Sequence, residues 1–180
     1  LTGVVGLLLA VVSVLGYYMA YRALDTSIQG EITANMESQR QGVSGWVATH
    51  VRINEDLAAH MATLDEVMGK PTKEAIMNGK DDMVLDITVG READNYVVAT
   101  LEGDLTGKLI PNDRPWYRDA KAAGKTIYTD PYVAKSTGQT CISFATPYYK
   151  ADGTFAGAIC EDISLASMNT YVEQLNYKGE

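Results

Sequence analysis

The first 21 residues, LTGVVGLLLAVVSVLGYYMAY, carry no charged side chain, and Arg22 is the first that does. At about 1.5 Å per residue, such a run reaches roughly 30 Å, the thickness of a bilayer's hydrocarbon core. Tyr17, Tyr18, Tyr21 and Arg22 stand at its end as an interfacial belt would. The pattern predicts a transmembrane helix over residues 1–22. A cleaved signal peptide fits less well, because no basic segment precedes the run and no small-x-small site follows it. Beyond residue 22 the apolar positions Ile28, Ile32, Met36, Val43, Val47, Ile53, Leu57, Met61, Leu64 and Met68 recur mostly at three-, four- and seven-residue steps. That is one apolar stripe of a helix, so a stalk helix is expected over 23–68, weakened locally by Gly42 and Gly45. Lys70-Pro71-Thr72 ends it, and a short helix is expected from there through Met77.

The period then shortens to two. Residues 86–89 and 95–100 read as strands joined by the charged turn 90–94. Pro115 suits a first helical position and Gly124 a left-handed end, which brackets a short helix. Residues 127–132 are extended but interrupted by Pro131, and so belong to an edge or a bend. Residues 139–148 and 154–164 form a hairpin about Asp152-Gly153. A two-residue turn there sets Cys141 opposite Ser164 and Cys160 opposite Ala145. One face of the hairpin then shows Ile142, Phe144, Thr146 and Tyr148 against Ile163, Glu161 and Ile159. The other shows Cys141, Ser143, Ala145 and Pro147 against Ser164, Asp162, Cys160 and Ala158. A last helix over 165–175 starts behind a cap at Ser164. The fold class is α+β: a long amino-terminal helix, then an antiparallel sheet with flanking helices.

Composition removes several functions. The formal net charge of −8 across 180 residues, with scattered Lys and Arg, argues against a nucleic-acid partner. It also places the part after residue 22 outside the membrane rather than on a positive cytoplasmic flank. In the hairpin register Cys141 and Cys160 stand about 13 Å apart along the strands, beyond disulfide reach. His50 and His60 have no ligand partner at metal spacing and read as interface or solvent histidines. Glu161 and Asp162, adjacent on a strand, point to opposite faces. The sequence carries no phosphate loop, nucleophile elbow or metal signature. No catalytic residue, metal or cofactor is expected.

Candidate binding chemistry converges on two places. Arg114 sits at the mouth of the short helix, beside free N–H groups that favour an anion. Trp116 and Tyr117 follow it as an aromatic wall and a hydroxyl donor. The small-residue face of the hairpin carries Ser143 and Asp162. A carboxylate there costs free energy against an apolar helix, but it serves a ligand ammonium or Arg114.

With Arg114-Pro115-Trp116-Tyr117, Thr129-Asp130-Pro131-Tyr132 and the strand 157–165 on the page, the chain resembles the double Cache sensor domains. These are PAS-like extracytoplasmic modules of bacterial chemoreceptors and related membrane receptors. The resemblance implies four segments: the span 1–22, the stalk 23–68, a membrane-distal ligand-binding module 69–164, and a helix 165–180 leading to a membrane-proximal module not contained in the chain. It also implies a homodimer at the cell membrane, with one span in this stretch and an output domain elsewhere. The ligand would be a small charged metabolite: an amino acid, another organic acid or an amine. By resemblance Arg114, Trp116 and Tyr117 hold the ligand carboxylate, Tyr132 matches a later tyrosine, and Asp162 takes the ammonium. Leu109 and Ala134 depart from the pattern, where a tyrosine and an aspartate are expected. The second ammonium acceptor is thus missing, and other carboxylates or amines compete with amino acids as ligands. A ligand-free, dimerising ectodomain is the alternative.

Overall fold

A computed structural model describes residues 2–67, 73, 76 and 82–177, with side chains for 12–64, 73, 76 and 82–174. The first element, α1 (Thr2–Val67), is one unbroken helix through both stretches expected as span and stalk, and it passes Gly42 and Gly45 without interruption. Among the described residues no helix is long and apolar enough to cross a membrane. The side chains of residues 1–11, where the expected span begins, lie outside the described ones. So does the expected short helix over 71–77, apart from Lys73 and Ile76, which are helical.

After it come β1 (Val84–Arg91), β2 (Val97–Ala99), β3 (Gly103–Asp104), a 3-10 turn (Pro111–Asp113), α2 (Pro115–Ala123), β4 (Ile127–Tyr128), β5 (Tyr132–Val133), β6 (Thr140–Tyr149), β7 (Phe155–Ser164) and α3 (Leu165–Tyr177). The strands form a single antiparallel sheet in the order β3-β2-β1-β7-β6-β4, with β5 also pairing β6. The expected α+β class is the observed one. Two local signals act as anticipated. Pro115 opens α2, and Gly124 closes it in the left-handed region at φ 65°. Ser164 Oγ accepts the Ser167 N–H at 3.3 Å, capping α3.

The β6–β7 register is the expected one along the site, from Cys141 opposite Ser164 to Tyr148 opposite Gly157. The turn is not. Lys150 N–H bonds Thr154 C=O at 2.9 Å, so the loop holds three residues, closed by Gly153 at φ 83°. The register then shifts between Tyr148 and Tyr149, leaving Ala156 as an extra residue on β7. A three-residue loop plus one bulged residue gives the same pairing as a two-residue turn.

The alternation of β7 divides the molecule into layers. One face of the sheet presents Ile87, Val89, Phe144, Ile159 and Ile163 to Trp46, Leu57, Ala58 and Met61 of α1. The buried face of α1 is centred on Trp46, His50, Asn54, Leu57 and Met61, whereas Ile28, Ile32 and Met36 upstream stay exposed. The apolar stripe drawn from the sequence left out His50 and Asn54, because they are buried for polar reasons. Glu161 lies on this face, fully buried, with His50 Nδ1 at 3.2 Å from its Oε1 and Asn54 Nδ2 donating to its Oε2 at 3.3 Å. Whichever of the two groups carries the proton donates it to the other. His50 is thereby an interface histidine with a carboxylate partner distant in sequence, and His60 is exposed.

The other face carries Ala145, Ala158 and Cys160 against Trp116, Tyr117 and Ala120 of α2. Beside them Val97 and Ala99 meet Leu105 and Leu109. Gly90 belongs to this packing: a Cβ there would stand 2.9 Å from the Tyr117 ring, so the ring lies directly on strand backbone.

Candidate functional site

Where α2 and the loop before it part from the sheet, a cavity of about 390 Å³ opens, bordered by Asp86, Thr88, Cys160 and Asp162 of the sheet and by Arg114, Trp116 and Tyr132. This is within the ~300–1,000 Å³ common for small-molecule sites. The small-residue face thus does both things open to it: its Ala positions pack α2, and its polar end is left facing a void.

The sheet side is a hydrogen-bonded network around Asp162. Its Oδ1 accepts from Ser143 Oγ at 2.7 Å, from Tyr132 Oη at 2.9 Å and from the Cys160 thiol at 3.3 Å. Tyr132 reaches it because β5 pairs Tyr132 with Cys141, and its hydroxyl also lies 2.8 Å from Ser143 Oγ. Burial pushes the Asp162 carboxyl above its ordinary range, the three donors pull it back, and Asp86 opposite adds to the rise. Burial, followed by Asp162, keeps the Cys160 thiol protonated, and burial, followed by Cys160 and Asp162, does the same for the Tyr132 hydroxyl. Both cysteines are free and buried, as the register implied.

The rest of the lining carries Arg114, Lys108 and Lys135 together with Glu102 and Asp113. Arg114 caps α2 with its backbone in an extended conformation and makes no side-chain cap bond. Its Nε is buried without a hydrogen-bond partner, and among the described residues no carboxylate pairs with it. A buried guanidinium N–H without an acceptor is costly, and the Arg114 side chain borders the cavity. Trp116 lies beside it, 7% exposed.

Tyr117 is elsewhere. It is fully buried, donates from its hydroxyl to Glu92 at 3.0 Å and stacks edge-on against Phe155. On a helix, adjacent residues point about 100° apart. The two rings meet edge-on with centroids 5.5 Å apart and share one packing cluster, yet only Trp116 borders the cavity. Ser143 sits behind Asp162 rather than on the lining. Leu109 and Ala134, the two departures from the expected pattern, both line the cavity.

The sequence reading missed Asp86. It is directly opposite Asp162 across β1 and β7 and borders the same cavity. Its Oδ1 accepts from Thr100 Oγ1 at 2.6 Å and from Leu101 N–H at 3.0 Å. The sequence places Asp86 on a strand, but nothing local shows that this strand lies beside β7, which is what brings Asp86 to Asp162.

A family model described as methyl-accepting chemotaxis protein-like, first PDC sensor domain, matches residues 80–170. The methyl-accepting chemotaxis protein PscA of Pseudomonas syringae pv. tomato is 26% identical over 173 residues, 92% of this chain and 26% of that protein. The chain therefore spans about a quarter of that relative's length. Among solved structures, the ligand-binding domain of Campylobacter jejuni chemoreceptor Tlp3 in complex with L-valine aligns with TM-score 0.64 at 18% identity, covering 82% of this chain and 64% of that one. The ligand-binding domain of the Pseudomonas aeruginosa amino acid chemoreceptor PctC in complex with GABA aligns with TM-score 0.60 at 22% identity, covering 74% and 62%. At these identities the likeness establishes the fold.

Proposed function

This chain belongs to the family of methyl-accepting chemotaxis protein-like first PDC sensor domains, and from that premise we propose that its cavity binds a small metabolite carrying both a carboxylate and an ammonium group. The family is one of sensor domains, not enzymes. The observation that carries the reading is the two-ended cavity, with Arg114, which pairs with no carboxylate among the described residues, on its lining and the Asp162 carboxylate on the sheet side. L-valine and GABA, found in the two structural neighbours, have both groups.

Arg114 takes the carboxylate, and Trp116 limits the shape of what fits. Asp162, held by Ser143 and Tyr132, takes the ammonium. A charge pair at about 4 Å is worth roughly 4 kcal/mol at an effective dielectric near 20, about half of what micromolar affinity requires. Tyr117 acts indirectly, fixing α2 on the sheet. The segment 69–164 is the ligand-binding module. The segment 23–68 is the stalk that passes the signal on, 1–22 is a single membrane span with the module outside the membrane, and 165–180 leads towards a membrane-proximal module. The exposed stalk positions Ile28, Ile32 and Met36 suit a second copy in a homodimer.

The test is a calorimetric and thermal-shift screen of the full chain in mild detergent. The probes are the twenty L-amino acids, GABA, simple amines and organic acids. Saturable binding of zwitterions with a rise in Tm is the expected result. No stabilisation by any of them would sink the reading and leave a ligand-free, dimerising ectodomain.

A further inference from the structure

The ammonium end is better furnished than the family pattern suggests. Asp86 and Asp162 are direct cross-strand partners, and both border the cavity. Like charges facing each other across a sheet repel, and among the described residues no Lys, Arg or His side chain pairs with either. Each carboxylate commits one oxygen to protein donors: Asp86 to Thr100 and Leu101, Asp162 to Ser143, Tyr132 and Cys160. Among the described residues, no donor reaches the second oxygen of either one. Asp86 is 4% exposed, so little water surrounds it to spread its charge. Two anchored carboxylates with idle oxygens on one void are an arrangement that a guest cation completes.

Resting on the proposed function, we propose that Asp86 is a specificity-determining residue of the site. It is the second carboxylate for the ligand ammonium, standing where the aspartate expected at Ala134 is absent. An ammonium has three donors, and Asp86 and Asp162 accept two of them. The doubly acidic end selects a primary ammonium over a hydroxyl at the same position, because a hydroxyl offers one donor and no charge. Ala134, 2% exposed, borders the cavity as a small apolar wall and leaves room for this geometry.

The experiment is calorimetry on the full chain with each of the twenty L-amino acids and GABA, paired with the hydroxy acid in which the ammonium is replaced by hydroxyl. Asp86→Asn keeps an oxygen for Thr100 and Leu101 and removes only the charge. The expected result is that the wild type prefers the ammonium compound, and that this preference falls at least tenfold in Asp86→Asn while affinity for the hydroxy acid is unchanged or higher. Asp86→Ser, which lacks the carboxylate in a smaller side chain, must give the same loss and serves if the first variant folds poorly. An unchanged preference in either variant, with the wild type still binding, overturns the role of Asp86 and leaves the proposed function standing. Failure of the wild type to bind any ammonium compound overturns both.

Discussion

Replacing Glu161 by Ala removes the carboxyl group that His50 and Asn54 of α1 contact on β7. The side chain is fully buried, with His50 Nδ1 at 3.2 Å and Asn54 Nδ2 at 3.3 Å. Asn54 keeps its bond to Phe144 C=O at 3.0 Å, but its Oδ1 is already buried without a partner. The network therefore has little slack. Losing a buried hydrogen-bond partner costs about 1–3 kcal/mol per bond, so Glu161→Ala, which loses the contacts to His50 and Asn54, should cost about 2–6 kcal/mol. Glu161→Gln retains the shape and one acceptor, and should cost about 1–3 kcal/mol. Against a domain stability of roughly 5–15 kcal/mol, the first variant is severe and the second tolerable. In urea, with a slope near 2 kcal/mol per molar, Glu161→Ala should lower the unfolding midpoint by about 2 M. A double-mutant cycle with His50→Ala isolates the pair and should return a coupling of about 1–3 kcal/mol. Additive losses, within about 0.5 kcal/mol, would refute the claim that α1 is fastened to β7 through this contact.

Arg114→Ala should weaken binding of a carboxylate-bearing ligand by roughly 2–5 kcal/mol and leave unfolding unchanged, since the side chain has no partner among the described residues; calorimetry beside a melt checks both, and equal affinity would remove the clamp. Gly157→Ala should destabilise by about 3 kcal/mol, because a Cβ there would overlap Gly90 C=O and the Tyr148 hydroxyl; a melt within about 0.5 kcal/mol of the parent would contradict the packing of β1, β6 and β7. The raised Asp162 carboxyl keeps its proton in the folded chain at pH values where the unfolded chain, near 3.8, has released it. Unliganded stability is therefore greatest below that window and declines as pH rises through it, while ammonium affinity moves the other way. Asp162→Asn should flatten the stability profile, and an unflattened one assigns the slope to another group.

What could be read from the sequence was what short-range rules control. Pro115 and Gly124 bracket α2 because each acts on its own backbone. The faces of β6 and β7 follow from strict alternation once the hairpin is placed. Arg114, Trp116, Tyr132, Ser143 and Asp162 come together because α2 and β5 both dock on that hairpin. The misses are long-range. Asp86 joins the site only because β1 lies beside β7, a pairing that spans most of the module and has no local signature. His50 and Asn54 face the core for the sake of Glu161, which a hydrophobic stripe cannot register. Tyr117 meets Trp116 edge-on, but adjacent helical residues point about 100° apart and the Tyr117 hydroxyl goes to Glu92, so only Trp116 reaches the cavity.

The bulge at Ala156 has a bearing on how this hairpin tolerates change. The position of Asp162 relative to Ser143 is set by the pairing from Tyr148–Gly157 down to Cys141–Ser164, not by the shape the tip adopts. The bulge is a residue held in reserve: deleting one residue at the tip can be absorbed by flattening it, with the pairing from Tyr148 to Cys141 undisturbed. The reserve is tethered, since Ala156 C=O accepts the Glu92 N–H at 2.8 Å, so using it forfeits one hydrogen bond to the end of β1. Loop length at the tip and ligand geometry at the base can therefore vary independently, which lets the tip be reshaped for a neighbouring surface without altering what the cavity recognises.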